Sequence, residues 1–359
     1  MKLAVFSRRG DTKIGAVLID GLLYRYEEES AEEGMAESVF VGKVDRCMGG
    51  MEAAFVRVGK DRTVFLPYRE MHGVPVPPPS GARVLVQIRR PPAGKKQAYA
   101  TMDISLAGKY AVLTPVTHKK AVSSRYAESE RPAALERMRR LCPDDSGLIL
   151  RMEAAGADDA AIENEIAVLR ARWTEILRIA EGTSSPGPVF ARPPLEERLL
   201  RDLKGGADRI LTDDASLLSA AGQAVEFQSG VLEAFDVAGQ AKKARDRVHR
   251  LPSGGSIVID PCEALTVVDV NTAGDAGNKK DPEKSRLKTN LEAAREIARL
   301  LQARDTGGII IIDFIDMEQE ENRGRVAAAM EEALREDYRK TVIHGFTSLG
   351  LMELTRKRG

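Results

Sequence analysis

Two apolar, β-branched runs, LTVVDVN from Leu265 and IIIID ending at Asp313, bracket a long amphipathic pattern. Between them, Leu287, Leu291, Ala294, Ile297, Ala298 and Leu301 recur at helical spacing, which predicts a helix from Pro282 to Asp305. Gly307 and Gly308 stop it. Strand, helix and strand in that order place the two runs side by side in one sheet. IIIIDFID carries apolar residues on both strand faces, which predicts a strand in a covered sheet interior.

Each run carries an acid at or near its C-terminal end. Side chains alternate faces along a strand, so Asp269 and Asn271 share one face. Ligand sites in open α/β sheets gather at strand C-termini, where Asp269 and Asp313 both lie. Two carboxylates there repel one another and lose hydration; a divalent cation relieves both penalties. Mg2+ accepts one or two carboxylates and keeps waters and substrate phosphates. Asn271 then fixes a carboxylate rotamer or orients a bound water, and Lys279 and Lys280 follow where a phosphate would sit. These parts suit metal-assisted phosphodiester hydrolysis. Strand-end aspartates also cap helices or close turns, a role that suits Asp275 and Asp316.

At 359 residues the chain predicts two or three domains. Residues 1–36 read as short strands with a turn at Asp20–Gly21, too few to hold a core alone, so they join a later segment. Residues 37–103 contain regularly spaced apolar runs separated by Gly, Asp and Pro, the pattern of a small barrel. GVPVPPPSG within it is a loop, because its prolines lack the N–H a ladder needs. Residues 104–185 are mixed, with a helix from Asp158 to Glu181 and Trp173 on its apolar stripe. GTSSPGP, Gly182–Pro188, reads as a linker. Beyond it LEERLLRDLKGG predicts a helix, ADRILTDD a strand, DASLLSAAGQ a helix, and Arg323–Arg339 another helix.

Fifty-four basic and 54 acidic side chains leave no net charge, so local clusters say more than the total. Four basic clusters, around Arg89–Lys96, Lys119–Lys120, Lys242–Arg247 and Arg356–Arg358, read singly as solvated faces. Three scattered cysteines without a CxxC pair predict neither a disulfide framework nor a cysteine zinc site. There is no apolar run of membrane-spanning length and no signal peptide, so a cytoplasmic location is the default expectation. On the expected barrel, Phe55 and Phe65 either fill the core or stack bases while Lys43, Arg57, Arg62, Lys95 and Lys96 track a phosphate backbone.

RLPSGGSIVIDPCEALTVVDVNT, TNLEAAREIARLLQARDTGGIIIIDFIDME and LGLMELTRKR resemble the ribonuclease E/G family. VFVGKVDRCMGGMEAAFVRVGKDRTVFLP is similar to that family's S1-type RNA-binding domain, and ISLAGKYAVL and GLILRMEAAG to its 5′-sensor region. The resemblance implies a multidomain α/β fold. Residues 1–36 with 186–245 form an RNase H-like subdomain, into which an OB-fold barrel at 37–103 and a 5′-sensor region at 104–185 are inserted. A DNase I-like catalytic subdomain follows at 246–359. It implies an endoribonuclease that uses Mg2+, with Mn2+ as a substitute, on single-stranded A/U-rich RNA, leaving a 5′-phosphate and a 3′-hydroxyl. Asp269 and Asp313 would bind the metal, Asn271 would position the catalytic carboxylate or the attacking water, and Phe55, Phe65, Lys96 and Lys43 would contact RNA. The alternative is a non-cleaving regulator that binds single-stranded RNA.

Three departures shape the expectation. The family's 5′-phosphate pocket maps to Gly108, Val112, Arg151 and Lys340. Met152 stands where the pattern has threonine, and Lys340 replaces an arginine whose two-pronged phosphate contact lysine cannot reproduce. Weak 5′-end sensing follows. No CPxC zinc link or scaffold tail is present in this sequence, so neither zinc, a zinc-linked dimer nor a degradosome scaffold is expected, and a monomer or a dimer held otherwise is.

Overall fold

A computed structural model of the chain describes residues 1–30, 35–92, 97–217, 224–272 and 281–357. Lys95, Lys96, Asp275, Lys279, Lys280, Arg358 and residues 218–223 of the expected DASLLSAAGQ helix lie outside the described residues. The chain divides into two compact units, Met1–Ser30 with Leu195–Gly359, and Ala31–Pro194.

In the first unit the N-terminal strands Lys2–Arg9, Thr12–Ile19 and Leu22–Glu29 form an antiparallel meander. The loop between the second and third is Asp20–Gly21, both at positive φ, as a tight two-residue hairpin requires. Arg209–Thr212 adds to the first strand in parallel, and Glu226–Phe227 adds beyond it. These early strands therefore do complete their sheet with a later segment.

A second, six-stranded sheet has the order Val248–Arg250, Ser256–Pro261, Leu265–Asn271, Gly308–Asp313, Met352–Arg356, Thr341–Phe346. Only its central pair, Leu265–Asn271 with Gly308–Asp313, is parallel, because a helix connects them. That helix, Pro282–Ala303, starts with Asp281 capping the N–H of Lys284 at 3.1 Å. With the Glu320–Leu334 helix it covers one face of the sheet. Val268, Ile310 and Ile312 pack there against Ile297, Leu301 and Val326, all fully buried. Each such side chain contributes roughly 1.5–3 kcal/mol by leaving water.

Among the described residues the opposite face is open. Val267 is 37% exposed and Ile309 49%, so the expectation of a strand covered on both sides is corrected. An unbroken apolar run does not separate a doubly covered strand from one whose outer face merely carries isoleucine. The helix expected at Arg323–Arg339 is also corrected, to Glu320–Leu334. Its acidic first turn suits the positive end of the helix dipole. Its end releases Asp337 to a buried ion pair with Arg356, whose side chain is fully buried. The solvated-face reading therefore fails for Arg356.

The second unit contains a closed five-stranded barrel. Val39–Met48 pairs with Ala53–Arg57, which pairs with Thr63–Pro67, then Ala98–Thr101, then Arg83–Arg90, and the last pairs back with Val39–Met48. Closure leaves no free sheet edge around the ring. Gly187–Phe190 pairs alongside Val39–Met48. The end of the expected linker is therefore a strand, and the boundary between the units falls at Pro194 rather than at 186. A four-stranded sheet, Lys120–Val122, Leu148–Leu150, Ala111–Leu113, Leu106–Ala107, packs with the helix Asp159–Gly182. Asp158 caps that helix at the N–H of Ala161, 2.6 Å away, and Trp173 lies half-buried against its core.

Candidate functional site

Parallel pairing of the two central strands puts Asp269 directly opposite Asp313. Adjacent strands lie about 4.8 Å apart, so the carboxylates are lateral neighbours. Both residues, and Asn271, are on the uncovered face. Asn271 Nδ2 donates to Asp269 Oδ2 at 2.7 Å. Burial, then the charges of Asp269 and Asp316, hold the Asp313 carboxyl above its ordinary range, and no cationic side chain of the described residues counters them. Among the described residues no group of three or more His, Cys, Asp or Glu side chains is arranged to hold a metal. The donor set is two carboxylates and an amide, oxygen donors on three exposed residues. That set fits a hard cation which retains most of its water, and does not fit zinc in a closed site.

Residues outside the expected set hold this geometry. Asn290, fully buried in the Pro282–Ala303 helix, donates from Nδ2 to the Ile315 carbonyl at 2.8 Å. Its Oδ1 accepts from the Ile315 N–H at 3.0 Å. Both bonds fix the chain just past Asp313. A polar residue three places after Leu287 on an apolar helix face was the available signal. At Gly255 an added Cβ would lie 2.6 Å from the Asn271 carbonyl, so only glycine permits the close approach of the Ser256–Pro261 strand's start to the end of Leu265–Asn271.

In the second unit Phe55 and Phe65 face each other across adjacent strands, half-exposed, with ring centroids 5.9 Å apart and edge-on. They lie on the outer barrel face rather than in its core. Lys43 is exposed on Val39–Met48, in register with Arg57, which shares its face with Phe55 two residues earlier. Sequence reasoning missed Tyr99, whose ring is 6.2 Å from Phe65. It also missed Arg46, stacked 4.9 Å from the Phe55 centroid, and took Arg90, 4.4 Å from that of Tyr99, only as one charge in a cluster.

The ribonuclease E/G family model matches residues 105–359. The chain belongs to the ribonuclease E/G family. Ribonuclease G of Escherichia coli K12 is 34% identical over 364 residues, covering 92% of this chain and 74% of that protein. Ribonuclease G of Haemophilus influenzae is 31% identical over 383 residues, covering 97% and 77%. Ribonuclease E of Escherichia coli K12 is 33% identical over 392 residues, covering all of this chain and 37% of that protein. No helix among the described residues is long and apolar enough to cross a membrane.

Of the residues that the family pattern assigns to a 5′-phosphate pocket, three come together. Arg151 Nη1 donates to the Gly108 carbonyl at 2.6 Å, and Val112 lies on the strand beside them. The amides of the turn that follows Gly108 are already engaged. Glu165 accepts from the N–H groups of Lys109, Tyr110 and Ala111 at 2.7, 2.8 and 2.9 Å. Lys340 belongs to the other unit, where its carbonyl accepts from the Lys357 N–H.

Proposed function

We propose that this chain is an endoribonuclease that hydrolyses single-stranded, A/U-rich RNA with Mg2+ held by Asp269 and Asp313. The observation that carries the reading is the side-by-side placement of those two carboxylates on an uncovered sheet face, with Asn271 bonded to one of them. The family's name, and the names Ribonuclease G and Ribonuclease E of its relatives, support RNA as substrate. The cation supplies charge neutralisation at the scissile phosphate and activation of water. Asn271 fixes the rotamer of Asp269 through Oδ2, so that Oδ1 stays outside that bond. Asp313 contributes the second negative charge; burial first, and then the charges of Asp269 and Asp316, raise its pKa. Attack of water on the phosphorus, with the 3′-oxygen departing and taking up a proton, would leave a 5′-phosphate and a 3′-hydroxyl.

The barrel suits an S1-type OB-fold, the sheet of residues 2–29 and 209–227 an RNase H-like subdomain, and the six-stranded sheet with its two helices a DNase I-like one. The closed ring, the parallel addition to the meander and the one-sided helix layer support these assignments.

Incubating a labelled, unstructured A/U-rich RNA with Mg2+ or with EDTA tests the activity. Cleavage with Mg2+ alone is expected; binding with no Mg2+-dependent product would replace the enzyme by a non-cleaving RNA-binding regulator. On matched substrates with 5′-monophosphate or 5′-triphosphate ends, the rates are expected to differ by less than about fivefold, the low end of ordinary coupling between sites. Glu165 occupying the turn amides, together with Met152 and Lys340, motivates this. A large monophosphate preference would reverse it.

A further inference from the structure

The outer face of the barrel carries a continuous lateral row. Arg46 is in register with Phe55, Phe55 with Phe65, Phe65 with Tyr99, and Tyr99 with Arg90, across five strands. The three rings are each half-exposed, and centroid spacings of 5.9 and 6.2 Å put them in an unbroken series. A guanidinium lies over each end ring, 4.9 Å away for Arg46 on Phe55 and 4.4 Å for Arg90 on Tyr99. Tyr99 is also locked from its far end. Its hydroxyl donates to Glu70 Oε1 at 2.9 Å and accepts from Arg69 Nη2 at 3.3 Å. A ring held in this way loses little freedom when it meets a ligand.

We infer that Tyr99, ended by Arg90, is a third base-stacking platform, so that the barrel holds three consecutive nucleotides of single-stranded RNA rather than the two that Phe55 and Phe65 alone would stack. This rests on the reading of the barrel as the RNA-binding part. Bases stack on aromatic faces without regard to sequence, and guanidinium planes serve equally as stacking surfaces. The edge-on and tilted rings present both faces and edges along the row. The flanking arginines add positive charge where the backbone leaves the row at either end.

The test is RNA affinity of the full chain in EDTA, measured by fluorescence anisotropy on single-stranded oligonucleotides of increasing length. Tyr99→Ala is expected to weaken binding about tenfold, within the range for loss of one stacked base. It should also erase the affinity gained when the oligonucleotide is lengthened to reach the third position. Tyr99→Phe keeps the ring and should stay within about twofold, whereas a role confined to anchoring Glu70 and Arg69 would make it as poor as alanine. Tyr99→Leu fills the same volume without a π-face and should behave like alanine, which covers the case in which the alanine variant loses stability. Tyr99→Ala should leave the salt dependence unchanged, while Arg90→Ala should flatten it by up to about 0.7 in log–log slope, one phosphate contact on a single strand. Normal binding by Tyr99→Ala and Tyr99→Leu, with loss in Phe55→Ala and Phe65→Ala, would shorten the row to two and overturn the inference alone. Unchanged binding in all of these variants would remove the barrel's RNA role itself.

Discussion

Asp313→Asn is expected to slow RNA cleavage by about a thousandfold or more while RNA affinity changes little. Loss of about 4 kcal/mol of transition-state stabilisation is in keeping with losing one of the two charges proposed to fix a cation there. The substitution is isosteric, and Asp313 lies on the uncovered face, so the fold has no packing to lose. It also removes repulsion with Asp269 and Asp316, which together with burial raises the Asp313 pKa. Without divalent cation the variant should therefore melt at or slightly above the wild-type temperature. Added Mg2+ should raise the melting temperature of the wild type but not of the variant, because only a ligand bound to the native state stabilises it. Thermal melts with and without Mg2+ thus report the site independently of turnover. Cleavage by Asp313→Asn at a rate near that of the wild type would remove Asp313 from the metal site.

Arg356→Leu is expected to destabilise the first unit by about 3–5 kcal/mol, read from urea denaturation followed by circular dichroism. Arg356 donates through Nε and Nη2 to Asp337 at 2.7 and 2.9 Å, and through Nη1 to Asp305 at 3.0 Å and the Thr306 carbonyl at 2.8 Å. Asp337 is 1% exposed and also accepts from the Arg339 N–H at 3.0 Å and from Thr341 Oγ1 at 2.8 Å, so losing the guanidinium removes a buried carboxylate's cation while leaving those neutral donors in place. The penalty comes mostly from keeping that charge buried without its guanidinium rather than from the pair's attraction. The double variant Arg356→Leu with Asp337→Leu should therefore recover much of the loss. If the double variant were as unstable as the single one, packing rather than the stranded charge would be responsible.

Much of the six-stranded sheet was legible from local pattern. Helical spacing marked a helix from Pro282 to Asp305, which the structure ends at Ala303, and strand alternation put Asp269 and Asn271 on one face. The Asp20–Gly21 turn was visible because few residues other than glycine, asparagine and aspartate accept positive φ. Other features were not legible. Asn290 looks like any interruption of an apolar stripe until the carbonyl and N–H of Ile315 are found beside it. Arg356 sits in a basic run that reads as surface, and only burial beside Asp337 separates it from Lys357. Tyr99 has no helical or strand partner in its own segment that would mark it; its partners Phe65 and Arg90 come from other strands.

The sequence alone decided most of the strands and helices, though not the strand Gly187–Phe190 or the bounds of Glu320–Leu334, and which of them carry acids at their ends, because those properties depend on periodicities of two and 3.6 residues within one segment. Tertiary structure decided that Asp269 stands opposite Asp313 rather than one residue out of step, and that five side chains from five strands form one row. A slip of one residue would turn either set to the other face. The alignment between distant strands is chosen by how their buried faces pack, and no short window of residues contains that choice.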